Sequence, residues 1–227
     1  MSDCCTPRSY SQMFSPRRAQ AQADRYRRRG LDSTSRRIVE LLMRRGVAGR
    51  TLLEVGGGVG AIQIELLKAG LASAVSIELT PTYEDVAGAL LREAGFADRV
   101  ERRVMDFAES GSEVAEADIV VLNRVLCCYP DMPRLAGAAA GHTRELLVMS
   151  FPRDRWWTHA GLALGNLALR AARCGFHAFL HSPERIFATA EQHGLRMALD
   201  QPGFFWEVAM LERPPDRVRP LPTTPAV

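Results

Sequence analysis

The residues with the most chemical potential are the run Glu54-Val55-Gly56-Gly57-Gly58-Val59-Gly60, with carboxylates further on at Glu78 and Asp106 and an amide at Asn123. A chain that leaves a parallel strand and enters a helix within a few residues needs backbone conformations that β-carbons obstruct, so glycine is required there. Glycine also lets a ligand lie against the main chain, and in a doubly wound sheet such a loop sits at the carboxyl ends of the strands, where ligands bind. Gly56, Gly58 and Ala61 satisfy the permissive dinucleotide pattern G-x-G-x-x-(G/A), so NAD is one candidate ligand. Glu54 separates the candidates. A carboxylate two residues before the first glycine is unfavourable beside a pyrophosphate and favourable beside a ligand carrying an ammonium and a sulfonium.

The elements that would position these groups follow from the flanking pattern. Thr51–Val55 is a short β-rich run, and a helix is expected over Ala61–Ala69. Ala74–Glu78 reads as a second strand, then Thr80 caps a helix over Thr82–Ala94 with Pro81 in its first turn. Val100–Met105 is strand three, and Ile119–Leu122 is an apolar fourth strand suited to a sheet covered on both faces. A helix over Met132–Ala140 leads to strand five, Leu146–Phe151. A helix over Pro183–His193 precedes Leu195–Leu199, a turn at Gln201-Pro202-Gly203, and Phe204–Leu211 as an antiparallel hairpin. Before the core, residues 1–15 read as loose. Helices are expected from Pro16 to Arg29, stopped by Gly30, and from a cap at Asp32 or Ser33, both over the open edge of the sheet.

Glu54–Gly60 resembles motif I of the class I S-adenosylmethionine (AdoMet) methyltransferases, an acidic residue followed by x-G-x-G-x-G, and the strand order extends the resemblance over residues 48–212. The resemblance implies an α/β, Rossmann-like, doubly wound and mostly parallel seven-stranded sheet with a C-terminal antiparallel hairpin and an N-terminal helical cap. It implies that Glu54, Gly56, Gly57, Gly58 and Gly60 line the methionine end of AdoMet. Glu78 takes the family's ribose-binding position, where a carboxylate can accept from both hydroxyls. Asp106 and Phe107 fall at its adenine position, and Asn123 at the strand end that faces the reactive methyl. The Tyr129-Pro130 pair is similar to Mg-protoporphyrin methyltransferases, a likeness of two residues that names no substrate. The (D/N)-P-P-(Y/F) motif of amino-methylating nucleic-acid enzymes is absent.

The implied domains are an N-terminal arm and helical cap (1–47), the AdoMet domain (48–213, with a lid-like insertion over 153–180) and a proline-rich disordered tail (214–227). Methyl transfer is an in-line displacement whose main demands are alignment and exclusion of water, so no catalytic residue is assigned. On the acceptor side the candidates are Tyr129, Tyr10 and Trp156, with Phe14, Tyr26, Trp157, Phe176 and Phe179 as further apolar walls. His142 is expected to be structural, whereas His159, His177 and His181 flank the insertion and are candidate bases.

A share of 47% hydrophobic and 24% charged residues in 227 suits one folded domain, and no run approaches a membrane span. Without an apolar leader at residues 1–10, cytoplasmic residence is the expectation. The five cysteines include the adjacent pairs Cys4-Cys5 and Cys127-Cys128, a spacing that suits neither a disulfide framework nor zinc, so no metal is expected. The expected partner is a small-molecule acceptor. The arginine-rich first fifty residues leave RNA or protein methylation as an alternative, beside an NAD-dependent oxidoreductase and a non-catalytic scaffold of the same fold.

Overall fold

In a computed structural model, residues 7–110 and 113–215 are described. The sheet is built from β1 (Thr51–Val55), β2 (Ser73–Glu78), β3 (Val100–Val104), β4 (Ala117–Asn123), β5 (Thr143–Pro152), β6 (Arg196–Pro202) and β7 (Trp206–Glu212), in the order β3-β2-β1-β4-β5-β7-β6. The first five strands run parallel, and β7 enters antiparallel between β5 and β6. The strand order steps outward in opposite directions from β1 and β4, and that switch point is where an open α/β sheet forms its ligand crevice.

Side-chain alternation divides the core in two. Leu53, Val55, Val120, Leu122, Leu147 and Met149 face α7 (Met132–Gly141) and α9 (Pro183–Gln192). Leu52, Ile119, Val121 and Val148 face the opposite way, against α3 (Ser33–Arg45) and α4 (Ala61–Lys68). All four residues Ile119–Leu122 have no exposed surface, which is why β4 reads as an unbroken apolar run.

The N-terminal elements depart from expectation. Pro7–Met13 forms a helix, α1, within the stretch expected to be loose, and Tyr10 on it is buried. It is held by apolar contact with distant residues, which local periodicity cannot register. Helix α2 (Pro16–Arg29) buries Ala19 and Ala23 against Val59, Ile64 and Tyr83, above the glycine loop. Helix α3 lies over the middle of a sheet face, its Ile38 and Leu42 packed with Val148, Val208 and Met210. Neither helix covers an open edge. The apolar stripe of α3 is too wide for an edge and needs the sheet's centre to bury it.

Smaller corrections lie at element ends. Pro81–Tyr83 is a 3₁₀ turn, and α5 begins only at Glu84, ending at Glu93. Thr80 does not cap it. Its hydroxyl is 2.8 Å from that of Thr82. Gln201 and Pro202 belong to β6, and the reversal falls on residues 203–205, closed by the Gly203 amide donating to the Trp206 carbonyl at 3.0 Å. The insertion holds one long helix, α8 (Trp156–Ala171), of which Thr158 is the only buried residue. Residues 216–227, in the proline-rich end, and Cys4 and Cys5 lie outside the described residues. No helix among the described residues is long and apolar enough to cross a membrane.

Candidate functional site

Strand β1 delivers Glu54 and Val55 to the switch point, and the chain then turns through Gly56 (φ +69°), Gly58 (φ +58°) and Gly60 (φ +80°) into α4. These are left-handed conformations that side chains rarely adopt. A β-carbon on Gly56 would stand 2.5 Å from Val125 Cγ2. On Gly57 it would stand 2.7 Å from Gln63 Nε2 and 2.8 Å from Glu54 Oε2. The glycines are therefore needed twice, for the turn and for the groups that press on it.

The loop is clamped at Gly58. Its amide donates to Glu78 Oε1, and its carbonyl accepts from Arg102 at 3.2 Å. Arg102 on β3 is nearly buried and also donates to both Glu84 carboxylate oxygens and to Ser76 Oγ. Arg102 escaped the sequence reading, because an arginine in an alternating strand looks like a solvent-facing residue. Its only signal is the surplus of carboxylates at 54, 78 and 84 that needs a cation.

A cavity of about 310 Å³ opens on this loop, within the usual range of ligand sites, roughly 300–1,000 Å³. Glu54, Gly56, Gly57, Gly58, Glu78, Asp106, Phe107 and Asn123 all line it, whereas Gly60 lies just behind the wall as the left-handed cap of α4. Tyr10 and Tyr129 line it too. Trp156 does not. It is 77% exposed on the outer side of α8, and no residue of 153–180 reaches the cavity. Phe176 comes nearest, packing edge-on against Tyr10 and Phe14, which do line it. Trp157 and Phe179 lie outside as well.

Two carboxylates on the wall are poised unusually. Burial pushes Glu54 up to about 7, reinforced by the charge of Glu78, although Gln63 and Arg102 pull the other way. Its Oε2 is buried and makes no hydrogen bond of good geometry, with the equally unsatisfied Gln63 amide as its neighbour, a state that costs free energy unless a ligand supplies a donor. Glu78 is likewise pushed up to about 7 by burial, against the Gly58 amide and Arg102. A ligand with a cationic head fits this pair, because it supplies what Glu54 lacks. AdoMet therefore fits, and a diphosphate does not.

The remaining expected residues are already engaged. Asp106 accepts from the Ala108 amide at 3.0 Å, capping the short α6 (Phe107–Ser110), and from the Tyr129 hydroxyl at 3.0 and 3.1 Å. Burial and Asp106 raise the Tyr129 phenol well above its ordinary value, so it orients rather than accepts a proton. Phe107 packs edge-on against His142, whose Nδ1 lies 2.7 Å from the Ala138 carbonyl. Asn123 donates to Ser35 Oγ at 3.1 Å and accepts from Ser150 Oγ at 2.7 Å. His159 pairs with Asp154, His177 lies 3.3 Å from Asn166, and His181 meets the Tyr129 carbonyl at 3.1 Å. None of these histidines lines the cavity. The Cys127 and Cys128 sulfurs are 3.8 Å apart, and each thiol donates to the Arg124 carbonyl. Among the described residues no group of three or more His, Cys, Asp or Glu could hold a metal.

Arg124 is the second residue that sequence did not single out. It takes a left-handed backbone (φ +62°) just after β4, a conformation costing about 1 kcal/mol or more for a non-glycine residue. Its guanidinium pairs with Asp32 at 2.5 Å and lies 5.1 Å from the centre of the Trp206 ring. Asp32 also caps α3, accepting from the Thr34 and Ser35 amides. One carboxylate thus ties the N-terminal cap to the end of β4. Burial alone would raise Asp32, but Arg124 and the Ser35 and Thr34 hydrogen bonds outweigh it and hold the carboxyl below its ordinary value. That stability is present at neutral pH and is lost as pH falls through the lowered value. Asp32→Ala should lower stability by about 2–3 kcal/mol, from the lost cap and a half-buried unpaired guanidinium. Asp32→Asn should keep the cap and lose about half as much, read as urea midpoints.

The comparisons with known proteins agree with this geometry. The family described as "Methyltransferase domain" matches residues 53–145, which run from the glycine loop through β4 and into β5. Among solved structures, the chain is similar to a magnesium protoporphyrin IX methyltransferase from Synechocystis PCC 6803 with bound SAH (18% identity, TM-score 0.64, 80% of this chain and 82% of that one). It is also similar to an O-methyltransferase family protein from Burkholderia thailandensis (22%, TM-score 0.68, 90% and 62%). A third is a putative RNA methyltransferase from Pyrococcus horikoshii (14%, TM-score 0.59, 81% and 83%). At such identities these likenesses speak for the fold, and their acceptors differ. No curated protein matches the chain by sequence. Its sheet order, its glycine loop and the matched domain agree: the chain carries an AdoMet-dependent methyltransferase domain on a class I methyltransferase fold.

Proposed function

We propose that this methyltransferase acts on a small molecule, and that the acceptor enters the cavity between the N-terminal cap and the end of β4. The observation that carries the reading is the shape of the site: a concave chamber roofed by Tyr10, Phe14 and Tyr26 and floored by Asn123, Arg124 and Cys128. A folded protein or a duplex needs an open face, whereas a chamber of this size suits a small ligand. The arginine-rich cap adds little to an RNA reading, because several of its cations are spent within the fold. Arg27 pairs with Glu93 and Asp24, Arg45 with Glu212, and Arg37 donates to the Gln201 and Trp206 carbonyls.

Glu54 would hold the cationic end of AdoMet and Glu78 its ribose, with Phe107 beside the adenine. When bound, AdoMet supplies a methyl group activated on a sulfonium. The chain's own work is alignment and exclusion of water. Asn123, fixed from both sides by Ser35 and Ser150, stands at the junction of the two halves. Tyr26 donates to Glu65 at 2.5 Å and is thereby locked in the roof. The acceptor half holds Asp32, occupied by Arg124, and no histidine, so no free group is matched to remove a proton at neutral pH. This favours an acceptor that is acidic by itself, a carboxylate or a phenol, with Arg25 at the mouth to draw an anion.

The test is transfer of labelled methyl from AdoMet into separated small-molecule, RNA and protein fractions of a cell extract. Label is expected in the small-molecule fraction, as an ester or ether. Label confined to RNA or protein would overturn the reading.

The chamber also bears on truncation. The sequence suggests that removing residues 1–29 impairs methyl transfer more than AdoMet binding. Gln22 on α2, however, reaches to within 3.6 Å of where a Gly58 β-carbon would sit, and Ala19 and Ala23 are fully buried. Deletion is therefore expected to weaken both functions, and S-adenosylhomocysteine affinity of the truncated, folded protein measures how far.

A further inference from the structure

Helix α8 does not obey the usual rule for a surface helix, an apolar stripe inward and a polar face outward. Its inward face is narrow, with Thr158 buried and Leu162, Asn166 and Leu169 half-buried. Its outward face, read at about 100° per residue, carries Trp156, Ala160, Leu164, Leu167, Ala168 and Ala171, all exposed. Trp156 is 77% exposed, Leu164 68% and Leu167 63%. Phe204, in the β6–β7 turn and 83% exposed, extends the patch, its ring stacked 6.0 Å from that of Trp157. A contiguous apolar face of this kind on a folded protein marks a docking surface.

Charge decides what docks. From Arg155 to Pro183 the chain contains no aspartate or glutamate, while Arg155, Arg170 and Arg173 are exposed and have no ion pair among the described residues. The carboxylates that flank this stretch are Asp154, 2.7 Å from His159, and Glu184, both beside the start of the helix and away from Arg170 and Arg173. A second copy packing this helix alongside its own in the same direction would set Arg170 and Arg173 against their counterparts with no acid between them. An anionic lipid surface instead offers phosphates to the arginines and acyl chains to the leucines, with tryptophan at the boundary. Arg170, one turn from Leu167, can lay its stem along the apolar face while its head stays among the phosphates.

We infer that α8 is an interfacial helix that docks the enzyme on an anionic membrane surface, with Trp156, Leu164, Leu167 and Phe204 entering the headgroup–acyl boundary. Phe176, buried in the segment that follows α8, packs on Tyr10 and Phe14, so the chain leaving the docked helix runs to the roof of the cavity. The inference is independent of the acceptor's identity.

The test is flotation of the full chain with vesicles of phosphatidylcholine alone or mixed equally with phosphatidylglycerol. The protein should float with the mixed vesicles, weakly with the neutral ones, and be released as salt rises. Combined Leu164→Asp and Leu167→Asp should reduce binding at least about tenfold, and Arg170→Glu with Arg173→Glu should abolish the preference for anionic vesicles. Both variants should bind S-adenosylhomocysteine as the parent does, which shows that they fold and that the methyltransferase reading stands apart. The inference is overturned if the parent chain does not float, or if the leucine pair leaves flotation unchanged. A dimer in sedimentation equilibrium that the leucine pair breaks, without any vesicle binding, would assign the face to a second copy instead.

Discussion

Gly57→Ala is expected to reduce S-adenosylhomocysteine affinity on the order of 100-fold, roughly 3 kcal/mol, while the sheet still folds. The added methyl would stand 2.7 Å from Gln63 Nε2, 2.8 Å from Glu54 Oε2 and 2.9 Å from Glu54 Cδ. Side-chain ends can usually swing away from such a contact. These cannot, because Gln63 is fully buried and Glu54 is 1% exposed. The methyl must therefore displace the Glu54 carboxylate or reshape the loop, and either change spoils the wall of the cavity proposed to hold the cofactor. Gly95→Ala is the control for a glycine replaced where no neighbour crowds the new methyl. Gly95 has a positive φ, of +75°, which Gly57 does not, but nothing lies within 4 Å of its β-carbon position. It should cost about 1 kcal/mol of stability and leave binding unchanged. Titration calorimetry and urea unfolding on the two variants separate a local fault from a general one. Equal binding by Gly57→Ala and the parent would contradict the placement of the cofactor.

Cofactor binding should also tighten as pH rises from about 5.5 to 7.5. Burial holds both Glu54 and Glu78 at about 7 in the free protein, above the ordinary value of 4.5. A group whose folded value is raised favours folding below its unfolded value and loses that contribution as pH rises through the folded one. The free protein thus loses stability between about pH 4.5 and 7 as these carboxyls ionise. A cationic ligand reverses the balance, because it favours the ionised form. Uptake below pH 7 must then expel protons, and affinity should climb by up to about tenfold per pH unit for each carboxylate that has to ionise. Calorimetry in buffers of different ionisation enthalpy reads the released protons directly. Glu54→Gln should weaken binding and remove its share of the pH dependence. A flat profile would show that neither carboxylate meets the ligand's charge.

How much of this was legible in the sequence depends on the distance over which each residue acts. The glycine loop was readable because strand, turn and helix are adjacent in the chain, and the reversed hairpin because both of its strands are. Glu78 was placed by its position at a strand end. Helix α1, the nearly buried Arg102 and the strained Arg124 were not readable, because partners distant in the chain define them. Tyr10 meets Phe176, Arg102 meets Glu84 and Gly58, and Arg124 meets Asp32. Trp156 misled for the opposite reason. A tryptophan pair beside a long apolar helix suggests a wall of the pocket, but the rotation of α8 turns Trp156 to the outside. Asp106 caps α6, a role its sequence position also allows, and accepts from Tyr129, a distant partner that sequence does not show.

The central claim is that the buried carboxylate of Glu54 receives the cationic ammonium end of an AdoMet-type ligand and so selects it over a dinucleotide. Side-by-side calorimetry of the full chain with S-adenosylhomocysteine and with NAD tests it most directly. The expected result is saturable binding of the first, lowered by Glu54→Gln, and none of the second. Binding of NAD, with S-adenosylhomocysteine giving no heat, would contradict it.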